Sequence, residues 1–334
     1  MKKIVIIGGG AAGYFTAINA KESNPDLDVT ILEKGKEVLQ KVKISGGGRC
    51  NVTHACFEPK ELVKFYPRGE KELLGPFHQF MTGDTFEWFD DRGVPLKIEG
   101  DNRVFPEANT SQAIIDCFQK SVDTLGIKVL TNHGVNTVTK QDNTWSIHTK
   151  EQVFEADQLV IAAGSSKKVW ELCETLDHAV VAPVPSLFTF NINDKRLVDL
   201  LGISVPNATV TISGTKLEAS GPLLITHWGM SGPAVLKLSA FGARILADKH
   251  YQYNVEVNWL SRPTDKVLNV LLNLKKKEPR KTVILKSPFT EVSRRLWERF
   301  VLFSDISKTQ NWADLNNAQL EKLANQLTKG IYNA

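Results

Sequence analysis

The chain has 334 residues, is 42% hydrophobic, and carries a formal net charge of +4 from 41 basic and 37 acidic residues. That length exceeds what one hydrophobic core usually supports, so two domains, or one with a large insertion, are expected, and the charge is too slight to argue for a nucleic-acid partner. Four dispersed cysteines, Cys50, Cys56, Cys117 and Cys173, form neither a disulfide framework nor metal-ligand spacing, and no apolar run approaches the ~18 residues of a membrane span, so a cytoplasmic protein without a metal is expected.

Residues 4–7 form a short β-branched run ended by glycine, which suits a strand buried on both faces of a parallel sheet. A helix is predicted over 11–22, a turn at Asn24-Pro25-Asp26, and a second strand over 28–32 that ends at Glu33. Thr110 or Ser111 caps a helix reaching Thr124, Gly126 stops it, and a strand comes next over 127–130. Residues 133–156 alternate like a small antiparallel meander turning at Gln141-Asp142-Asn143, and 158–164 return to a buried strand with Gly164 at its end. After Pro183-Val-Pro185 short strand-like runs lead to Trp259, and from Thr264 onward the pattern is helical and polar.

GGGAAG at 8–13 places Gly8, Gly10 and Gly13 in the G-x-G-x-x-G spacing of a dinucleotide loop, after a strand and opening a helix. The helix N-terminus offers N–H groups and a positive dipole end to phosphates, and Glu33 stands where a ribose hydroxyl would be bound. A second glycine run, SGGGRCN at 45–51, exceeds what NAD needs. FAD extends further, so Ser45, Gly46, Gly47, Gly48, Cys50 and Asn51 are expected to lie along it from phosphate toward the flavin. Arg49 is expected to offset its negative charge.

These motifs, together with Lys41, FPEANTSQA at 105–113, VIAAG at 160–164 and THWGMSGPAVL at 226–236, resemble the BaiN/RdsA-type NAD(P)/FAD-dependent oxidoreductases, a bacterial flavoprotein group that includes aminoacetone-oxidase-like enzymes. The resemblance runs in the same order over residues 1–334. It implies an α/β fold: a glutathione-reductase-type FAD domain (1–187) interrupted by a β-barrel substrate domain (188–262) that carries a helical insert (263–330). It also implies that Ala11, Ala12, Lys34, Lys41, Val135, Ala162, Ala163 and Gly164 join the FAD site, with NADH or NADPH as a candidate electron donor. Relatives of this kind continue past the insert and return to the FAD domain, so 331–334 are expected to open a returning barrel strand whose partners are absent, in a piece of a longer protein.

His227 is the candidate proton donor or acceptor, the only histidine inside a glycine-rich motif, although a purely structural histidine fits equally well. Ser231 is expected to cap the helix that begins near Pro233. A disulfide-reductase mechanism is disfavoured because Cys50 and Cys56 are six positions apart and no second G-x-G-x-x-G occurs. LKKKEPRK at 274–281 reads as a solvated helix end rather than an RNA contact. The expected function is hydride transfer between flavin and a small organic substrate, either reduction of an enone or steroid-like acid or oxidation of an amine. The alternatives are a tRNA-modifying flavoprotein and a non-catalytic FAD-binding protein.

Overall fold

The structure is a computed structural model that describes residues 1–334. The chain forms two compact units, Met1–Val181 and Ala182–Ala334. The division at Val181, rather than at residue 187, falls in a stretch without regular structure over 179–186.

The first unit is built on a parallel sheet of β1 (Lys3–Ile7), β2 (Asp28–Leu32), β3 (Lys128–Leu130) and β4 (Gln158–Ile161), in the order β4-β1-β2-β3. Successive side chains of a strand point to opposite faces, and here both faces are covered. Ile6 and Ile31 join Tyr14, Ile18, Ile114 and Phe118 from α1 (Ala11–Ser23) and α3 (Ser111–Thr124). Val5, Ile7 and Leu32 pack with Val138, Ile147 and Ala156 of an antiparallel meander, Thr137–Gln141, Thr144–His148 and Val153–Ala156. The β-branched run is thus continuous in the sequence because neither parity meets water. Thr110 caps α3, its hydroxyl accepting from the Gln112 N–H at 3.3 Å.

Between β2 and α3 the chain makes α2 (Gln40–Gly48), which loses helical geometry at Ser45, and a second small antiparallel sheet in which Arg103–Pro106 lies between Thr53–His54 and Leu96–Ile98. A helix over Thr82–Asp90 brings Trp88 and Phe89 into the same core as α1 and α3.

The second unit holds a six-stranded antiparallel sheet of β5 (Phe190–Asn191), β6 (Ser204–Ile212), β7 (Glu218–Thr226), β8 (Gly229–Ser231), β9 (Asn254–Asn258) and β10 (Gly330–Asn333), in the order β5-β8-β7-β6-β9-β10. Over these residues the strands form an open sheet, in which β5 and β10 pair with one neighbour each, so the expected barrel is not shown. The expectation that 331–334 lack sheet partners is also corrected, because Ile331 pairs with Glu256 and Tyr332 with Val255. Between β9 and β10 run α5 (Thr264–Lys277), α6 (Arg294–Leu302) and α7 (Asn317–Thr328), whose apolar faces share one core with the sheet. Ser231 is not a helix cap. It is the last residue of β8, and Gly232, with φ of 101°, precedes α4 (Pro233–Phe241). No helix is long and apolar enough to cross a membrane.

Candidate functional site

The first glycine loop is tied down by backbone bonds, Gly8 N–H to the Leu32 carbonyl at 2.8 Å and Leu39 N–H to the Gly9 carbonyl at 2.8 Å. A methyl at Gly13 would stand 2.0 Å from the Gly8 carbonyl oxygen, so α1 can rest on the loop only through a glycine. Gly10 is the N-cap of α1 and no side chain caps it, which leaves the positive end of the helix to a ligand. A methyl at Gly10 would meet no protein atom within 4 Å.

Glu33, at the end of β2, does more than the spacing implied. One carboxylate oxygen accepts from the Gly9 N–H at 2.8 Å and the other from the Gly35 N–H at 2.7 Å. It therefore shapes the loop as well as facing the cavity, and each oxygen keeps acceptor capacity for a sugar hydroxyl. Lys41, on α2, donates to the Ser165 hydroxyl at 2.8 Å in the loop after β4.

These residues border one cavity of about 1360 Å³, above the ~300–1,000 Å³ common for small-molecule sites. Gly8, Gly10, Ala11, Ala12, Glu33 and Lys34 line it, as do Lys41, Val135, Ala162, Ala163 and Gly164. Of the second glycine loop, Ser45, Cys50 and Asn51 reach the cavity. Burial pushes the Cys50 thiol above its ordinary value, against a smaller opposing effect of the Ser45 hydrogen bond, so it stays a neutral lining group.

Five expected residues are not in the lining. Gly13 is packed beneath the loop, Gly46 lies against Asn51 and Phe105, and Gly47, Gly48 and Arg49 complete the second loop away from the lining. Arg49 does not face the cavity, because its guanidinium pairs with Glu99 at 2.6 Å and lies over the Phe105 ring at 3.9 Å.

Residues that local sequence reasoning missed line the rest: Phe15 on α1, Phe80, Thr85 and Trp88 around the Thr82–Asp90 helix, and Ile114 and Phe118 on α3. The only local signal was the aromatic density of residues 77–89, which by itself reads as core. Tyr14 is buried beside them and its hydroxyl is pushed up to about 12, first by burial and then by the charges of Asp123 and Glu33. It stays protonated near neutral pH and donates to the Gln119 side-chain carbonyl at 3.3 Å.

His227 lies in the second unit. It forms with Trp228 the two-residue tip between β7 and β8, where Thr226 pairs with Gly229, and the two rings are 3.9 Å apart. Both side chains are exposed. Cys56 hydrogen-bonds the Glu58 carbonyl at 3.8 Å, and all four cysteines are free thiols.

Comparison with known proteins gives four likenesses. The family described as HI0933-like protein Rossmann domain matches residues 2–334. The chain is 26% identical over 249 residues to the 3-dehydro-bile acid delta(4,6)-reductase of Clostridium scindens, covering 72% of this chain and 60% of that protein. It is 28% identical over 251 residues to the ribosomal RNA dihydrouridine synthase of Haemophilus influenzae, covering 71% and 61%. The chain thus spans about 60% of the length of the curated relatives it matches. Among solved structures, a bacillithiol disulfide reductase of Staphylococcus aureus is 26% identical with a TM-score of 0.28, over 49% of this chain and 39% of that one.

Proposed function

The chain belongs to the HI0933-like family, and from that premise we propose that it is a flavin-dependent oxidoreductase whose first unit holds FAD. The observation that carries this reading is the extent of the cavity, which runs from Gly10 and Glu33 past Lys41 to Ser45, Cys50 and Asn51 in one space of about 1360 Å³. The residues fit the group: an uncapped helix end for a pyrophosphate, the open side of Gly10 where its backbone is approached, and a carboxylate for a ribose. When bound, FAD would supply hydride transfer. The chain's own residues bind and orient it, and the apolar side of the cavity, with Phe15, Trp88 and Ile114, excludes water.

The proposed substrate is a small organic molecule, with reduction tested first because one relative is named as a bile-acid reductase, and oxidation of an amine as the other direction. NADH or NADPH is the proposed donor. RNA is the rival substrate, since another relative is named for ribosomal RNA. The lysine run gives it little support: Lys275 donates to the Leu315 carbonyl and Lys281 pairs with Glu278 at 2.9 Å, so these cations are engaged at home. Four free thiols suit the cytoplasm, which belongs to the same proposal.

Titration with FAD, FMN and NAD is the test of the cofactor. FAD is expected to bind and NAD not to; the reverse result ends the reading. Anaerobic mixing of the FAD complex with NADH, NADPH and a panel of amines, with flavin absorbance as the readout, tests the donor. His227→Ala is expected to lower turnover about 10²–10⁴-fold with FAD affinity unchanged, and normal turnover would make His227 structural.

A further inference from the structure

The second glycine loop has no side chain between Ser45 and Arg49, and Gly46, Gly47 and Gly48 all have positive φ, 55°, 69° and 85°. Methyl groups on Gly47 and Gly48 would meet nothing within 4 Å, so packing does not place these two residues, whereas a methyl on Gly46 would stand 2.7 Å from the Asn51 nitrogen and 2.8 Å from the Phe105 ring. The loop closes on itself through the Cys50 N–H to the Ser45 carbonyl at 3.0 Å, and residues on either side anchor its two ends. Arg49 Nη1 donates to Glu99 Oε1 at 2.6 Å and to Asn109 Oδ1 at 3.3 Å, and its guanidinium stacks 3.9 Å from the centroid of Phe105, which is fully buried. The backbone then joins the small sheet, with Val52 N–H to the Val104 carbonyl at 2.8 Å, and on the other side of the loop Ser111 donates to the Lys43 carbonyl at 2.8 Å. Two separate stretches, SGGGRCN and FPEANTSQA, therefore meet outside the cavity, and Arg49 is the side chain that fastens them.

We propose that Arg49 is a positioning residue, a latch on Glu99 and Phe105 that holds the glycine loop in the one arrangement presenting Ser45, Cys50 and Asn51 to the cavity. A planar guanidinium suits both halves of the latch, stacking on the ring while its edge meets the carboxylate, and an ammonium does only the second. The loop's effect on FAD rests on the function proposed above; its effect on loop order does not.

Cys50 supplies the test, since it is 7% exposed within the loop, while Cys117 on α3 is 6% exposed and serves as reference. The full chain, without cofactor, is treated with N-ethylmaleimide, and the labelling rate of each cysteine is measured by peptide mass. Glu99→Gln and Arg49→Met are each expected to speed Cys50 labelling about tenfold through local opening, leaving Cys117 at its original rate. Arg49→Lys should fall between Arg49→Met and the parent, and the double variant should do no more than Arg49→Met alone, which already removes the Glu99 pair together with the Phe105 stack. Arg103 reaches the other oxygen of Glu99 at 3.4 Å, so Arg103→Gln is the control and should leave Cys50 protected. Unchanged Cys50 labelling in Glu99→Gln and Arg49→Met overturns the latch, as does a parallel rise at Cys117, which would mean that the whole unit loosens. FAD affinity should drop about tenfold in Glu99→Gln, and a variant with parent affinity would also overturn it. A parent chain that binds no FAD defeats the proposed function and leaves the thiol result standing.

Discussion

The two glycine loops of the first unit use the same residue for different reasons. In the first loop the backbone of α1 lies against the loop itself, and a methyl at Gly8 or Gly13 would stand 2.5 Å from the Ala162 carbonyl oxygen or 2.0 Å from that of Gly8. In the second loop Gly47 needs only its positive φ, with open space where a side chain would be. The first loop is close-packed at Gly8 and Gly13, and the second is close-packed only at Gly46, its Gly47 and Gly48 standing free. One implication is that glycine count in a motif says little about its stiffness; what the missing Cβ would touch says more.

Four substitutions test that contrast, ranked by their effect on folding. Gly13→Ala should be the most damaging, costing at least ~4 kcal/mol because backbone must separate from backbone, and denaturant unfolding of the chain should show the first unit lost or molten. A cooperative transition at the parent midpoint would mean that α1 can shift away at little cost. Glu33→Ala removes two charge-assisted acceptors from Gly9 and Gly35 and should cost roughly 1.5–3 kcal/mol of stability, with FAD affinity falling as well. If only affinity changes, the carboxylate serves the ligand alone. Gly47→Ala should cost about 1–2 kcal/mol, the penalty for a left-handed backbone with a Cβ, and an unchanged midpoint would show that the loop simply rearranges. Gly10→Ala sharpens the contrast from the other side. Its φ of −93° and open surroundings predict a change in stability within about 0.5 kcal/mol, while calorimetry should find FAD binding weakened because the methyl projects where the backbone meets the ligand. Equal FAD affinity would remove the first loop from the cofactor.

What could be read from the residue order was local. β1, the first glycine loop, α1, β2 and the Thr110 cap obey short-range rules: a strand of β-branched residues, glycines at fixed offsets, a hydroxyl one position before a helix. The errors came where the answer lies far along the chain. A cation beside a phosphate loop points Arg49 at the ligand, but its partner Glu99 is fifty positions away and nothing local announces it. Phe80 and Trp88 border the cavity from a helix whose pattern is that of any core segment. The short strands and turns of the second unit suit a barrel, as the resemblance implies, and an open sheet equally; the difference is a matter of strand pairing rather than composition. Ser231 looked like a cap because serine caps often do precede a proline, yet its backbone is already committed to β8.

The placement of α5, α6 and α7 between β9 and β10 has a bearing on how the second unit is made. Neighbouring strands are usually joined by a tight hairpin and pair as soon as both exist, but here β10 is synthesised only after the helices. Until then β9 has one bare edge, and pairing must close a long loop that the packed helices shorten. The ties that secure the latecomer are correspondingly strong: Arg196 donates to the Ile331 carbonyl, lies 3.9 Å from the Tyr332 ring, and pairs with Asp194 at 2.7 Å, while the Trp259 indole donates to the Tyr332 hydroxyl at 3.2 Å. During translation the nascent chain therefore passes through a stage in which a hydrophobic strand edge is on offer to any other chain nearby, and the helical excursion sets how long that stage lasts.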